Sequence, residues 1–303
     1  MKSYLYILMA MLVWGLEYIL IKVSAPGSSP LMAGAIMFFV GGLLLFCHLS
    51  AGRHLCLRKI KRNLKTLLLV GSIGAGCNIF LLTGVRLTSA ANASVLGKAD
   101  VLFALILSAL VFHEQIRKNS LWFVPPMIAG MCLLNTGQGL NIGEPGRVGD
   151  WLILGHAFLL ALNAYFIKEA VKDTGALLLG FANCLINMIV FVAAQLICYP
   201  AADFLNVDSR SAAILAAGGV CVYLFFIGYY QALKRLPVWE VRLLMLGVPV
   251  VTAILGACFI GEVPSGRQLT GMALLLSGAA GIVLSGRSTF VKKERLSIGD
   301  IVG

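Results

Sequence analysis

The chain is divided into ten runs of mostly apolar residues, each about as long as a helix that crosses a lipid bilayer. A spanning helix needs about 20 such residues, and every backbone polar group in the hydrocarbon must be hydrogen-bonded within the protein. The sequence therefore predicts an all-α integral membrane protein. Its ten transmembrane helices are expected at about 4–24, 31–49, 65–84, 88–112, 120–136, 151–169, 177–198, 212–232, 239–260 and 269–286.

The composition supports a membrane protein and disfavours several other classes. Hydrophobic residues make up 59% of the chain and charged residues 12%, whereas soluble domains have about 25% charged residues. The eight cysteines form no C-x-x-C pair, so we interpret them as small packing residues. The sequence lacks a phosphate-binding loop, an H-E-x-x-H zinc motif and any Ser/His/Asp arrangement. We therefore expect no cofactor, no metal site and no catalytic residue, and hence a protein that is not an enzyme.

The basic residues are unevenly distributed among the predicted loops. Cytoplasmic loops of membrane proteins are enriched in Lys and Arg, and basic clusters at 53–65, 117–118 and 234–235 alternate with loops that hold a single Arg. This asymmetry predicts cytoplasmic N- and C-termini, with residues 287–303 as a basic cytoplasmic tail. The net charge of +11 is then explained by topology, and we expect no nucleic-acid partner.

The second half of the sequence repeats features of the first. Glu114 and the apolar residues around it recur at Glu262, an offset of about 148 residues, and Lys22 recurs at Lys168. Because five spans is an odd number, the two copies must lie in opposite orientations. We therefore predict two inverted five-helix repeats, residues 1–145 and 146–286. Inverted repeats are the architecture of secondary transporters, which bind their substrate near the bilayer midplane between the halves.

Several short motifs carry a resemblance to a known family. They are Trp14-Gly15 with Lys22 in the first span, the segment Thr88–Ser94, and His113-Glu114 and Gly261-Glu262 at the ends of the fourth and ninth spans. Together they resemble EamA-type members of the drug/metabolite transporter superfamily. The resemblance implies ten helices, with the fifth and tenth peripheral and the others around a central cavity. It also implies the transport, commonly the export, of small metabolites across a membrane, here expected to be a bacterial cytoplasmic (inner) membrane.

Two charged residues lie near the middle of the fourth predicted span. Lys98 is about 15 Å into the helix, where a charge costs about 3 kcal/mol on insertion scales. Asp100 is rotated from Lys98 by roughly 200° on a helix, so neither is expected to be the main partner of the other. They could bind substrate or couple transport, or they could form ion pairs between helices. The repeat has Met245 and Val248 near the corresponding positions, which favours a functional role.

The first predicted span presents a charged aromatic face. Trp14, Glu17 and Tyr18 share one side of a helix, with Glu17 about 20 Å from the end. An intramembrane carboxylate could bind an amine or carry a proton. It could equally form a structural ion pair with Lys98 or Lys22. Arg242, one turn inside the ninth span, is predicted to lie at the membrane interface.

Four uncharged polar side chains are also predicted at mid-depth. Such groups either tie helices together by hydrogen bonds or orient a ligand in a cavity. Both interpretations are open for these candidate substrate-binding residues, which are Asn78, Asn163, Asn187 and Tyr223.

The sequence therefore favours a secondary transporter of small metabolites that works by alternating access around a midplane cavity. The leading version is proton-coupled export of amino acids or related metabolites. The alternative is an uptake or exchange carrier for an anionic or nucleotide-like metabolite, favoured if Lys98 and Arg242 both reach the cavity. A membrane-embedded lipid enzyme and a non-transporting scaffold are weaker alternatives. The expected partners are a small-molecule substrate, the lipid bilayer and protons, with the protein as a monomer or homodimer.

Overall fold

A computed structural model of the chain describes residues 2–52, 57–110, 145–199, 207–236, 238–261, 263–278 and 280–281, with scattered residues between 122 and 133. The residues so described form helices and no β-strand. The helices are α1 (Lys2–Val23), α2 (Pro30–Ala51), α3 (Leu57–Arg62), α4 (Leu64–Leu87), α5 (Ala90–Leu96), α6 (Ala99–Leu110), α7 (Pro145–Thr174), α8 (Ala176–Cys198), α9 (Ser209–Arg235), α10 (Val238–Leu244), α11 (Val248–Phe259) and α12 (266–278).

Six of these helices, α1, α2, α4, α7, α8 and α9, are long and apolar enough to cross a membrane. They coincide with the first, second, third, sixth, seventh and eighth predicted spans. Large apolar side chains such as Phe39, Ile189 and Ile197 are exposed on their outer faces, as expected where the neighbour is lipid. The chain is an integral membrane protein built from helices.

The fourth and ninth predicted spans differ from the prediction, because each is broken into two shorter helices. Gly97 and Lys98 separate α5 from α6, and a 3₁₀ turn at Met245–Gly247 separates α10 from α11. Gly97 is a poor helix former, and a side chain there would lie 2.9 Å from the Tyr18 hydroxyl. Pro249 in the first turn of α11 cannot continue a preceding helix, since it lacks a backbone N–H.

The remaining predictions fall partly or wholly outside the described residues. Most of the fifth predicted span lies there, as do Glu114, Glu262 and the basic tail 287–303. The tenth predicted span is represented by α12, which begins three residues earlier than predicted.

Helices α2 and α9 each begin with a side-chain cap. The Ser29 hydroxyl accepts a hydrogen bond from the backbone N–H of Met32 at 3.0 Å at the start of α2. The Asp208 carboxylate accepts from the N–H of Ser211 at 2.6 Å at the start of α9. Hydrogen bonds from the Ser211 side chain and backbone hold the pKa of Asp208 below its usual range, because they stabilise the charged form. Such caps satisfy orphan N–H groups that a helix end leaves unpaired.

Contacts between helices of the first half of the chain and helices of the second half occur in corresponding pairs. The contact of α4 with α7 corresponds to that of α9 with α1. The contact of α2 with α9 corresponds to that of α8 with α4. Helix α11 lies against α1 as α6 lies against α7, and α2 contacts α8. The two broken helices also meet, with α5 against α11 and α6 against α10. Each of these contacts therefore has a counterpart in which helices of the first and second halves are exchanged.

A close approach between α2 and α9 gives a first prediction. A methyl group at Gly219 would lie 2.5 Å from Val40 Cβ and 2.9 Å from the Met37 carbonyl oxygen, whereas one at Gly76 would meet nothing nearer than 3.5 Å. We expect Gly219→Ala to destabilise the protein by about 1–3 kcal/mol through overpacking. Gly76→Ala is the matched control, since both substitutions remove a helical glycine. Equal melting temperatures of the two variants in detergent would contradict this expectation.

Candidate functional site

A cavity of about 50 Å³ lies among helices α1, α2, α4, α7, α8 and α9. At about 10–15 Å³ for each buried water, it has room for roughly four water molecules. Its aromatic wall comes from α1, α2 and α9, and its polar groups come mainly from α1, α4, α7 and α8. The aromatic residues are Trp14, Phe38, Phe225, Phe226, Tyr229 and Tyr230. The polar ones are Glu17, Cys77, Asn78, His156, Asn163 and Asn183.

Glu17 provides a carboxylate in this lining. Its side chain is buried, with 8% of the residue exposed. No described residue forms an ion pair or a hydrogen bond with it. Lys22 instead donates to the main-chain carbonyls of Val85, at 3.3 Å, and Thr88. The ion pair with Lys22 that the sequence left open is therefore not formed.

Lys98 occupies the break between α5 and α6. Its ammonium lies 3.7 Å from the centroid of a Trp14 ring, a cation–π contact that stabilises a desolvated charge. The side chain is fully buried, and its Nζ makes no hydrogen bond within the described part of the chain. Lys98 does not line the cavity, whereas Trp14 does. Trp14 therefore connects the cavity to this buried cation.

Asp100 forms a buried ion pair with Arg242. Arg242 Nη1 donates to Asp100 Oδ2 at 2.8 Å, and both side chains are completely inaccessible. Arg242 Nη2 also donates to the Leu160 carbonyl at 2.7 Å. Asp100 lies in the first turn of α6 and Arg242 in the last turn of α10, so each charge is at the helix end whose dipole favours it. The prediction of an interfacial Arg242 is wrong, because α10 ends inside the protein against α6.

A chain of amide side chains links α4, α8 and α9 beside the cavity. Asn78 donates to Asn187 at 2.8 Å, Asn187 to Asn183 at 2.6 Å, and Asn183 to the Tyr230 hydroxyl at 3.0 Å. Asn163 on α7 donates to the Val70 carbonyl at 3.2 Å. Asn183 was missed by sequence reasoning, although its spacing of four from Asn187 places both on one helix face.

The other predicted site residues lie farther from the cavity. Tyr18 is fully buried and its hydroxyl has no hydrogen-bond partner among the described residues. Tyr223 shares a hydrogen bond of 2.9 Å with His48, in an exposed setting. Neither of them lines the cavity. Of the nine predicted residues, those in the lining are Trp14, Glu17, Asn78 and Asn163.

Sequence reasoning also missed a pair formed by Cys77 and His156. The Cys77 sulfur lies 3.1 Å from His156 Nδ1, and the Cys77 carbonyl oxygen lies 3.0 Å from the same nitrogen. The two residues are 79 positions apart, so no local motif signals their contact. Among the described residues no cluster of three or more potential metal ligands occurs, and the pair belongs to the polar lining.

Comparison with known families fits this arrangement. The model of the EamA-like transporter family matches residues 1–136 and again residues 147–284. The chain belongs to the EamA-like transporter family.

Relatives of this EamA-like transporter extend over nearly its whole length. A probable amino-acid metabolite efflux pump of Salmonella typhimurium is 27% identical over 281 residues, covering 89% of this chain and 91% of the relative. A protein described in the same words in Escherichia coli is 27% identical over 286 residues, with the same coverage. An uncharacterized transporter of Archaeoglobus fulgidus is 23% identical, covering 92% of this chain and 97% of the relative.

A solved structure shares the fold of this EamA-like transporter. Its chain superposes with a TM-score of 0.75 at 19% sequence identity, over 94% of this chain and 99% of the other. Family membership and the relatives together make the protein a membrane transporter of metabolites rather than an enzyme.

Proposed function

We propose that this protein exports amino acids or related metabolites in exchange for protons, by alternating access around the cavity. Two relatives described as probable amino-acid metabolite efflux pumps support the substrate class and the direction. The observation that carries the proposal is Glu17, a buried carboxylate in the cavity lining without a counter-ion among the described residues. Intramembrane carboxylates in this setting are the usual proton-relay groups of transporters.

The proposed architecture is two inverted five-helix repeats, residues 1–145 and 146–286. The reciprocal helix contacts support it, since the most extensive pairings recur when the halves are exchanged. The broken spans α5–α6 and α10–α11 agree with it as well, because discontinuous helices typically surround the binding sites of such transporters. Basic loops support cytoplasmic termini in a bacterial cytoplasmic membrane.

In the proposed cycle, one carboxylate serves two ligands in turn. When Glu17 is ionised it attracts the ammonium group of a substrate, and when it is protonated it carries a proton across in the opposite direction. Because both ligands use the same oxygen atoms, binding of one displaces the other, and the two fluxes are coupled.

The cavity must widen for substrate to bind, since its volume of about 50 Å³ holds only a few waters. The helix breaks at Gly97–Lys98 and Met245–Gly247 can serve as hinges, because the regular helix is already interrupted there. We place Lys98, Asp100 and Tyr18 in the coupling machinery behind the cavity wall, and Asn187 in the network that supports Asn78.

The alternative, a carrier for anionic metabolites, gains no support from the site. It is favoured if Lys98 and Arg242 both reach the cavity, and neither residue lines it. Arg242 is engaged with Asp100 and the Leu160 carbonyl, so its charge is already neutralised.

Flux through proteoliposomes tests the proposal. Vesicles are loaded with single labelled amino acids, and efflux is measured with the outside acidic or at equal pH. We expect efflux to be faster with the acidic exterior, because protons entering the vesicle drive substrate out. A protonophore should remove the difference, and protein-free vesicles supply the background. Efflux that ignores the pH gradient would indicate a uniporter or an exchanger instead.

A further inference from the structure

We propose that the cavity recognises its substrate by an ammonium group and does not require a carboxylate, so that simple amines are ligands. This inference rests on the proposed role of the cavity as the transport site. It follows from a comparison of the hydrogen-bond acceptors and donors that the lining leaves unused.

The first unused acceptor is His156 Nε2. Nδ1 of the same ring lies 3.0 Å from the Cys77 carbonyl oxygen, which can only accept a hydrogen bond, so Nδ1 carries the proton. The Cys77 thiol completes the arrangement by donating to the His156 carbonyl at 3.5 Å. In the neutral ring Nε2 is then a bare acceptor. It is buried and has no hydrogen-bond partner among the described residues.

The second unused acceptor is the amide oxygen of Asn163. Its nitrogen donates to the Val70 carbonyl, which fixes the orientation of the amide group. The Asn163 oxygen is buried and lacks a partner in the described part of the chain. Glu17 adds a carboxylate, a third and stronger acceptor.

The lining residues that the structure describes offer no charged donor to balance these acceptors. One amide N–H of Asn78 donates to Asn187, and one of Asn183 donates to Tyr230. The two nearby cations lie outside the lining, with Arg242 paired to Asp100 and Lys98 stacked on Trp14. The remaining donors of the described lining are neutral: the second amide N–H of Asn78, Asn163 and Asn183, the Trp14 indole N–H and the tyrosine hydroxyls. A substrate carboxylate therefore finds no cation among the described lining residues.

The aromatic wall reinforces this preference. The ring centroids of Trp14 and Phe225 lie 5.2 Å apart. The rings of Phe225 and Tyr229 are stacked, with their centroids 5.1 Å apart. The faces of aromatic rings carry negative potential and attract organic cations. An ammonium group offers up to three N–H donors to the unused acceptors, while an apolar substituent packs against the rings.

Thermal stabilisation of the purified protein tests the inference with matched probes. 2-Phenylethylamine and 3-phenylpropanoate share a phenyl ring on a short chain and differ in the charge of the terminal group. We expect 2-phenylethylamine to raise the melting temperature by a few degrees near saturation, because a ligand that binds only the folded state stabilises it. 3-Phenylpropanoate should give no shift at the same concentration. A larger shift with 3-phenylpropanoate, or none with 2-phenylethylamine up to its solubility limit, would overturn the proposal.

Variants then locate the interaction. Glu17→Gln should abolish the response to 2-phenylethylamine, and His156→Phe should weaken it. The matched control is His48→Phe, since His48 also contacts a polar side chain but lies away from the cavity. It should respond like the unchanged protein. An undiminished response of folded Glu17→Gln would contradict the proposal, and the comparison of the two probes does not depend on any variant.

The same probes separate this inference from the proposed function. If 2-phenylethylamine binds but no amine or amino acid crosses proteoliposomes, the recognition of amines stands and the transport proposal fails. If an amino acid is exported while its decarboxylated amine does not bind, transport stands and this inference fails.

Discussion

Replacing Arg242 with methionine is expected to lower the free energy of unfolding by about 3–5 kcal/mol, the usual cost of leaving one partner of a buried ion pair alone. Asp100 would remain fully buried, and its Oδ1 already lacks a hydrogen-bond partner among the described residues. The Leu160 carbonyl would lose its donor as well. Melting temperature and chemical denaturation in detergent measure the effect.

Two further variants test whether the unpaired carboxylate of Asp100 causes the loss of stability. Asp100→Leu combined with Arg242→Met removes both charges, so we expect it to recover most of the stability. The surface pair of Lys172 and Glu169 is the matched control, with side chains 56% and 71% exposed. Lys172→Met should cost less than about 1 kcal/mol. If the double variant is no more stable than Arg242→Met, the unpaired Asp100 carboxylate does not explain the lower free energy of unfolding.

Substituting Glu17 by glutamine is expected to reduce efflux driven by a pH gradient to the level of protein-free liposomes. Glutamine has nearly the same size and can still accept a hydrogen bond, but it cannot take up or release a proton. The cavity would then have lost the group that couples the two fluxes. Labelled substrate efflux at acidic and equal external pH measures the change.

Glu169→Gln is the control for this second experiment. It makes the same chemical change on α7, where the carboxylate is exposed and pairs with Lys172. We expect its gradient-driven efflux to match that of the unchanged protein. Gradient-driven efflux that survives in Glu17→Gln would move the coupling role to another group, with Asp100 the next candidate.

The sequence predicts the long helices well because their signal is local. The length of an apolar run alone specifies a spanning helix, and α1, α2, α4, α7, α8 and α9 follow it. The breaks at Gly97–Lys98 and Met245–Gly247 have a weaker signal, since the residues on both sides remain apolar. Glycine occurs at both breaks and proline follows the second, but both residue types are also tolerated within transmembrane helices.

The candidate site is less predictable than the long helices. The depth of a side chain in the membrane and the groups it contacts depend on how the helices pack. Counting residues from the loop placed Arg242 at the interface, whereas contact of α10 with α6 buries it next to Asp100. The contact of Cys77 with His156 and that of Lys98 with Trp14 join helices far apart in sequence. Glu17 and Trp14 could be identified as candidates because their spacing depends only on the helical repeat.

The ion pair between Asp100 and Arg242 has a consequence for biogenesis. Asp100 precedes its partner by 142 residues, a distance that a ribosome covers in roughly 7–28 s at typical rates of synthesis. During that interval the carboxylate is in the membrane region without its cation, at a cost of about 3 kcal/mol on insertion scales. We therefore expect the first half of the chain to reach its final structure only after α10 has been inserted, so that the two halves mature together.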